Sequence, residues 1–92
     1  MSKLSITKKH RLSQPKAKAA AQKVAEDLQE RFGLFYAWRG NAIEFERTGL
    51  SGKMQVGKNE VRLDCELGIL LSLLKPKLEA EIDKEFAKRF DA

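Results

Sequence analysis

Cysteine and histidine are almost absent from this sequence, and their scarcity excludes several classes of protein. The 92 residues include one cysteine, Cys65, so no disulfide can form within the chain. Small secreted domains of this size usually depend on several disulfides, and the N-terminal residues lack the continuous apolar stretch of a signal peptide. We therefore expect a cytoplasmic protein with a single domain spanning residues 1–92.

The single histidine, His10, and Cys65 are too few to form a metal site, because a structural zinc site needs four ligands. The sequence also contains no nucleophile elbow, phosphate-binding loop or dinucleotide-binding fingerprint. We expect no enzyme activity, and hence no catalytic residue, cofactor or metal. Cys65 is interpreted as a small apolar residue of the core.

Long hydrophobic runs are missing as well. The longest is residues 69–74, Ile-Leu-Leu-Ser-Leu-Leu, which is far shorter than the roughly 20 residues that span a bilayer. This run is apolar on all sides, which exceeds what one helix face needs to bury. It could insert into a core, pair with another subunit or touch a hydrophobic surface. The candidate contact residues are Ile69, Leu70, Leu71, Leu73 and Leu74.

The periodicity of the sequence predicts an α+β domain. Apolar residues at spacings of three and four predict one helix over Gln14–Phe32, capped by Ser13, and another over residues 76–90. The order β-α-β-β-β-α favours an antiparallel sheet of three or four strands with both helices packed on one face. Residues 69–75 fit a separate helical turn, a loop or the start of the last helix.

The segments between the helices alternate apolar and polar residues, as strands covered on one side do. Gly40-Asn41 is predicted to form a hairpin turn, and residues 49–52 a second turn before a strand over residues 53–56. The acidic residues of these strands alternate with core positions, so we expect them to face solvent and not to form a catalytic pair. They are Glu44, Glu46, Asp64 and Glu66.

Two further groups of residues are candidate contacts. Residues 1–24 contain seven Lys or Arg and no acidic residue, in a chain of net charge +5. Such a surface attracts nucleic acid, an anionic membrane or another acidic partner, or it only solubilises the protein. Its candidate residues are Lys8, Lys9, Arg11, Lys16, Lys18 and Lys23. Tyr36 and Trp38 share one side of a strand. If they are exposed they form a binding platform, and if they are buried they pack in the core. Burial is favoured for Trp38.

The order of several short segments resembles the polyhydroxyalkanoic acid system family of small bacterial proteins. The segments are residues 6–10 (ITKKH), 18–28 (KAAAQKVAEDL) and 32–34 (FGL), then Trp38, Gly40 and Phe45, and finally residues 67–75 (LGILLSLLK) and 78–82 (LEAEI). The resemblance covers nearly the whole chain and supplies no catalytic residue. It implies a noncatalytic accessory protein associated with polyhydroxyalkanoate storage granules or their regulation, with the granule surface or granule proteins as partners.

Two alternatives stay open at this point. The basic N-terminal half could make the chain a nucleic-acid-binding module, and an α-β-β-β-α core also occurs in double-stranded RNA-binding domains. A helix packed on a curved sheet could instead enclose a small apolar ligand, as helix-grip folds do. Because a chain of this length buries a small core, a homodimer is also expected.

Overall fold

The computed structural model describes residues 2–90 and has the predicted α+β architecture. The sheet is larger than predicted, with five strands in place of three or four, and there are three helices in place of two. In chain order the elements are β1 (Ser2–Lys9), α1 (Gln14–Phe32), β2 (Phe35–Arg39), β3 (Ala42–Arg47), β4 (Leu50–Val56), β5 (Glu60–Leu67), α2 (Ile69–Ser72) and α3 (Lys75–Arg89).

All five strands form one antiparallel sheet in the order β1-β5-β4-β3-β2. Strands β2 to β5 are a meander of hairpins, whereas β1 crosses over to pair with β5 along its whole length, from Ser2 opposite Leu67 to Lys9 opposite Glu60. The sequence of β1 has only two apolar members, Leu4 and Ile6. Pairing with the strongly alternating β5 places both of them in the core.

The helices α1 and α3 cover one face of the sheet and leave the other open. Helix α3 packs on β1, while α1 packs on β4 and β2 and also contacts α3. The predicted boundaries of α1 are confirmed. Its Ser13 side chain accepts a hydrogen bond from the backbone of Lys16 at 3.4 Å, and Gly33 ends it with a φ of 68°.

Strand β4 begins earlier than its glycines predict. The turn is made by residues 48–49, where Gly49 has a φ of 83°, and the strand then runs from Leu50 through Gly52. Gly52 lies beside Cys65 of β5, and a Cβ atom on it would be 2.5 Å from the Cys65 Sγ and 2.9 Å from the Asp64 carbonyl oxygen. A glycine is therefore needed at position 52 because the neighbouring strand leaves no space for a side chain, and not because the residue lies in a turn.

Replacing Gly52 with alanine is expected to lower the free energy of unfolding by about 1–3 kcal/mol, because the added methyl group would collide with the Cys65 side chain and the Asp64 backbone. Urea denaturation measures the loss. Ser51→Ala, on the adjacent exposed position, is the control and should change stability by less than about 0.5 kcal/mol. A G52A variant as stable as the wild type would show that the sheet accommodates the methyl group without strain.

Candidate functional site

The two ends of the sheet carry different chemistry. At the end where β5 leads into α2, four exposed apolar side chains form what we call the apolar end: Ile69, Leu70, Leu73 and Leu74. At the opposite end, β1 leads into α1 and the turn over residues 57–59 joins β4 to β5. The basic residues there form what we call the basic end: Lys9, Arg11, Lys16 and Lys58.

The side chains of the apolar end are held in an exposed position by an ordered backbone. Ile69, Leu70 and Leu73 are 79%, 83% and 84% exposed, although they belong to a helical turn and its C-cap. The Gly68 N–H donates to the Gly49 carbonyl at 2.7 Å, and the Ser72 hydroxyl donates back to the Gly68 carbonyl at 2.9 Å. The turn therefore has a defined orientation relative to the sheet.

Of the five residues predicted as an apolar contact, Leu71 differs from the others. It is half-buried and packs against the core, with its Cδ1 3.4 Å from where a Cβ of Gly49 would lie. One inward leucine thus anchors the turn, Ile69, Leu70 and Leu73 project outward, and Leu74 is less exposed, at 42%. The segment is the separate helical turn that was one of the three alternatives for it, since α3 starts only at Lys75.

The apolar cleft behind this turn is nearly filled. Leucines of α2, α3 and the sheet line it together with Phe32, and its volume is about 10 Å³. A space of this size holds about one water molecule. Within the part of the chain described, this cleft has no room for a small apolar ligand of the kind that a helix-grip protein encloses.

The basic end is organised by His10, which is 4% exposed. Its backbone N–H donates to the Asn59 carbonyl at 2.9 Å, and its Nε2 lies 3.1 Å from the Gly57 carbonyl. Its Nδ1 accepts from the Leu12 N–H at 3.1 Å, and its ring packs 5.5 Å from that of Phe90. Both ring nitrogens are therefore engaged in contacts within the fold. The imidazole holds the loop that carries Arg11 against the turn that carries Lys58.

The structure divides the six predicted cationic residues between two places. Lys9, Arg11 and Lys16 belong to the basic end, and Lys8 directly precedes them on β1. In contrast, Lys18 lies 5.8 Å from the ring centroid of Trp38, and Lys23 is 3.7 Å from the Glu26 carboxylate along α1. Lys58 belongs with the first group and was missed, because it is distant in sequence and only the pairing of β1 with β5 brings it there.

Tyr36 and Trp38 face the helices and not the open side of the sheet. Their strand partners on β3, Phe45 and Ile43, are fully buried. Gln22 of α1 bridges the pair, since it donates to the Tyr36 hydroxyl at 2.9 Å and accepts from the Trp38 Nε1 at 2.7 Å. Both aromatic side chains are half-buried and engaged in packing α1 onto the edge of the sheet.

The carboxylates of the open face lie beside basic or hydroxyl groups. Glu44 accepts from Arg39 at 2.6 Å, and Glu66 is 3.9 Å from Lys3. The hydrogen bond from Ser5 lowers the pKa of Asp64, with help from Arg62, so this carboxylate is ionised at neutral pH. These surroundings favour a charged, solvated sheet face.

Cys65 is buried as predicted. Burial, with a smaller contribution from the charge of Asp64, raises the pKa of its thiol to about 11. A thiol with this pKa is almost fully protonated at neutral pH and is a poor nucleophile. Cys65 therefore acts as an apolar residue of the core.

A cluster between α1 and α3 was not visible in the sequence. The Arg89 Nη2 is 2.9 Å from Asp27, and its Nε is 3.5 Å from Glu85, which is only 3% exposed. Burial raises the pKa of Glu85, as do its hydrogen bond with Asp27 and the charge of Asp27, while Arg89 opposes the rise. The same hydrogen bond and Arg89 lower the pKa of Asp27, so Asp27 is the more readily ionised of the two carboxyl groups.

Among residues 2–90, no helix has both the length and the apolar character to cross a membrane. A family model described as "Putative polyhydroxyalkanoic acid system protein" matches residues 4–90 of the chain. A search of curated proteins finds no match.

Proposed function

Because the chain belongs to the polyhydroxyalkanoic acid system protein family, we propose that it is a noncatalytic, cytoplasmic accessory protein of polyhydroxyalkanoate granules. In this proposal the apolar end contacts the polyester. The observation that carries it is the outward orientation of Ile69, Leu70 and Leu73, each about four-fifths exposed on an ordered helical turn. Family membership supports the granule setting, and the exposed turn supplies a surface of matching chemistry.

The chemistry of the polymer favours such a contact. A polyhydroxyalkanoate chain carries alkyl groups and ester oxygens but no N–H or O–H donors along its length, so it offers mainly apolar contacts. Burying one leucine or isoleucine side chain is worth about 1.5–3 kcal/mol. Three such side chains on a fixed turn can bind without first being ordered, which removes part of the entropic cost of association.

The test replaces the three most exposed residues with serine, as I69S/L70S/L73S, and leaves the anchoring Leu71 in place. The variant is expected to bind protein-free polyhydroxybutyrate particles at least about tenfold more weakly than the wild type, because it loses most of the apolar contact. Sedimentation of purified protein with the particles measures the bound fraction. Circular dichroism should show an unchanged fold, since these side chains are exposed.

A charge variant at the other end of the sheet, R11E/K16E/K58E, is the matched control. It carries the same number of substitutions but leaves the apolar end intact, so it should sediment with the particles as the wild type does. Equal sedimentation of I69S/L70S/L73S and the wild type would show that the polyester contact lies elsewhere or does not exist. Binding to polystyrene particles as tight as to polyester would reduce the proposal to a general affinity for apolar surfaces.

A further inference from the structure

The cations of the basic end lack the carboxylate partners that several basic side chains elsewhere have. On β1, β2 and β5, Lys3, Arg39 and Arg62 each lie within 4 Å of a carboxylate. Within residues 2–90, no carboxylate lies that close to any residue of the basic end, and all four are exposed. Glu60, opposite Lys9 in the sheet, offsets part of this charge, and the remaining exposed cations leave a net positive surface that can attract an anion.

These cations also have fixed relative positions, unlike those on a flexible tail. The bonds of His10 to Asn59 and Gly57 join the loop before α1 to the turn before β5. A third bond, from the Gln14 side chain to the Val56 carbonyl at 3.0 Å, ties the start of α1 to the end of β4. The backbone positions of Arg11, Lys16 and Lys58 are thus set by the same small network.

From this arrangement we infer that the basic end binds the phosphate backbone of double-stranded nucleic acid without reading its sequence. Single strands are usually held by aromatic stacking. The aromatic residues at this end, His10 and Phe90, are buried, and the exposed Phe35 lies at the opposite end of the sheet. Duplex backbones need only cations that reach their phosphates, and this end presents four exposed ones.

A membrane surface fits less well. Peripheral proteins that bind anionic bilayers usually combine basic residues with apolar side chains that enter the acyl region. The large exposed hydrophobic residues of the described chain are Phe35, Ile69, Leu70, Leu73 and Leu74, and each of them lies at or next to the apolar end. The separation of the two surfaces means that one molecule could contact a polyester particle and a duplex simultaneously. The inference itself does not depend on the polyester contact.

The test is fluorescence anisotropy of a short labelled DNA duplex titrated with the purified full chain. Neutralising about four phosphates predicts that affinity falls roughly 100-fold between 50 and 200 mM salt. At the lower salt concentration, R11E/K16E/K58E should bind at least about 100-fold more weakly. These three side chains form no hydrogen bond or ion pair with other side chains of the described residues, so the variant should stay folded.

The matched control is K75E/K77E/K84E, which changes the net charge by the same amount on α3. It should lose less than about tenfold in affinity, and I69S/L70S/L73S should lose none. Equal losses in the two charge variants would overturn the inference, because binding would then follow net charge alone. It would also be overturned if the wild type did not bind the duplex at the lower salt concentration, or bound single strands or phosphatidylglycerol vesicles more tightly. Comparison with an RNA duplex then identifies which nucleic acid is preferred.

Discussion

Replacing Phe90 with alanine is expected to lower the free energy of unfolding by about 3–5 kcal/mol, which is the usual cost of removing a buried phenylalanine side chain. Phe90 is 0% exposed at the C-cap of α3, where its ring packs 5.6 Å from that of Phe86 and 5.5 Å from that of His10. A domain of this length has a total stability of about 5–14 kcal/mol. The variant should therefore be close to unfolding, and urea denaturation measures the loss.

Phe35 provides the matched control, because it is a phenylalanine of the same chain that is 71% exposed. Phe35→Ala should change the free energy of unfolding by less than about 0.5 kcal/mol. Similar losses for F90A and F35A would show that the Phe90 side chain contributes no more to the stability of the core than an exposed phenylalanine does. Since the His10 ring rests on Phe90, F90A should also loosen the loop that carries Arg11, and amide hydrogen exchange of residues 10–12 should detect this.

The helices could be predicted closely because their signals are local. The apolar stripe, the Ser13 cap and Gly33 lie within one continuous segment, and α1 has the predicted boundaries. Strand β1 and the start of β4 could not be predicted as well. Leu4 and Ile6 form a strand because β5 is available to pair with them, and Gly52 is accepted within a strand because Cys65 leaves no room for a larger residue. Both depend on contacts that are distant in sequence.

The candidate surfaces could also be predicted where their signals are local, but not where they depend on contacts that are distant in sequence. The apolar run at residues 69–74 is visible in the sequence, but only the structure separates the anchoring Leu71 from the outward Ile69, Leu70 and Leu73. The basic N-terminal segment is equally visible, yet Lys58 joins it only through the sheet. Lys18 and Lys23 lie along α1 instead, because the helix carries them away from the basic end.

Helix α3 links the two candidate surfaces. Its first turn follows α2 and places Leu78 against the cleft behind the apolar end, and its C-cap supports His10 at the basic end. Contacts between α3 and α1 therefore set the relative position of both surfaces. The cluster formed by Asp27, Glu85 and Arg89 is one of these contacts, and Arg31 with Glu81 at 2.8 Å is another.

The pKa directions in this cluster determine how its contribution to stability varies with pH. The pKa of Glu85 is raised in the folded state, so its contribution is complete at low pH and is lost as pH rises through that pKa. The pKa of Asp27 is lowered, so its contribution is present above the ordinary range of aspartate and is lost on acidification. Arg89 opposes the rise for Glu85 and favours ionised Asp27, which limits the loss at neutral pH.

Replacing Arg89 with methionine should therefore lower the free energy of unfolding by about 1–3 kcal/mol at neutral pH, because two carboxyl groups lose the cation that they share in a partly buried contact. The loss should grow as pH rises from about 5 to about 8, because ionised Glu85 depends on the arginine more than protonated Glu85 does. Adding Glu85→Gln should recover most of the stability, since a neutral amide donates to Asp27 at every pH. Urea denaturation across this range provides the measurement.

Lys88→Met is the control for removing a cation from the same turn of α3. Lys88 is exposed and, among the described residues, has no carboxylate within 4 Å, so its replacement should cost less than about 0.5 kcal/mol. If R89M lost the same stability at both ends of the pH range, Glu85 would not be the group that titrates. If E85Q failed to rescue R89M, the loss would arise from the packing of the arginine stem and not from its charge. A pH-dependent loss with rescue would instead establish that the pairing of Arg89 with Asp27 and Glu85 helps to hold α1 and α3 together.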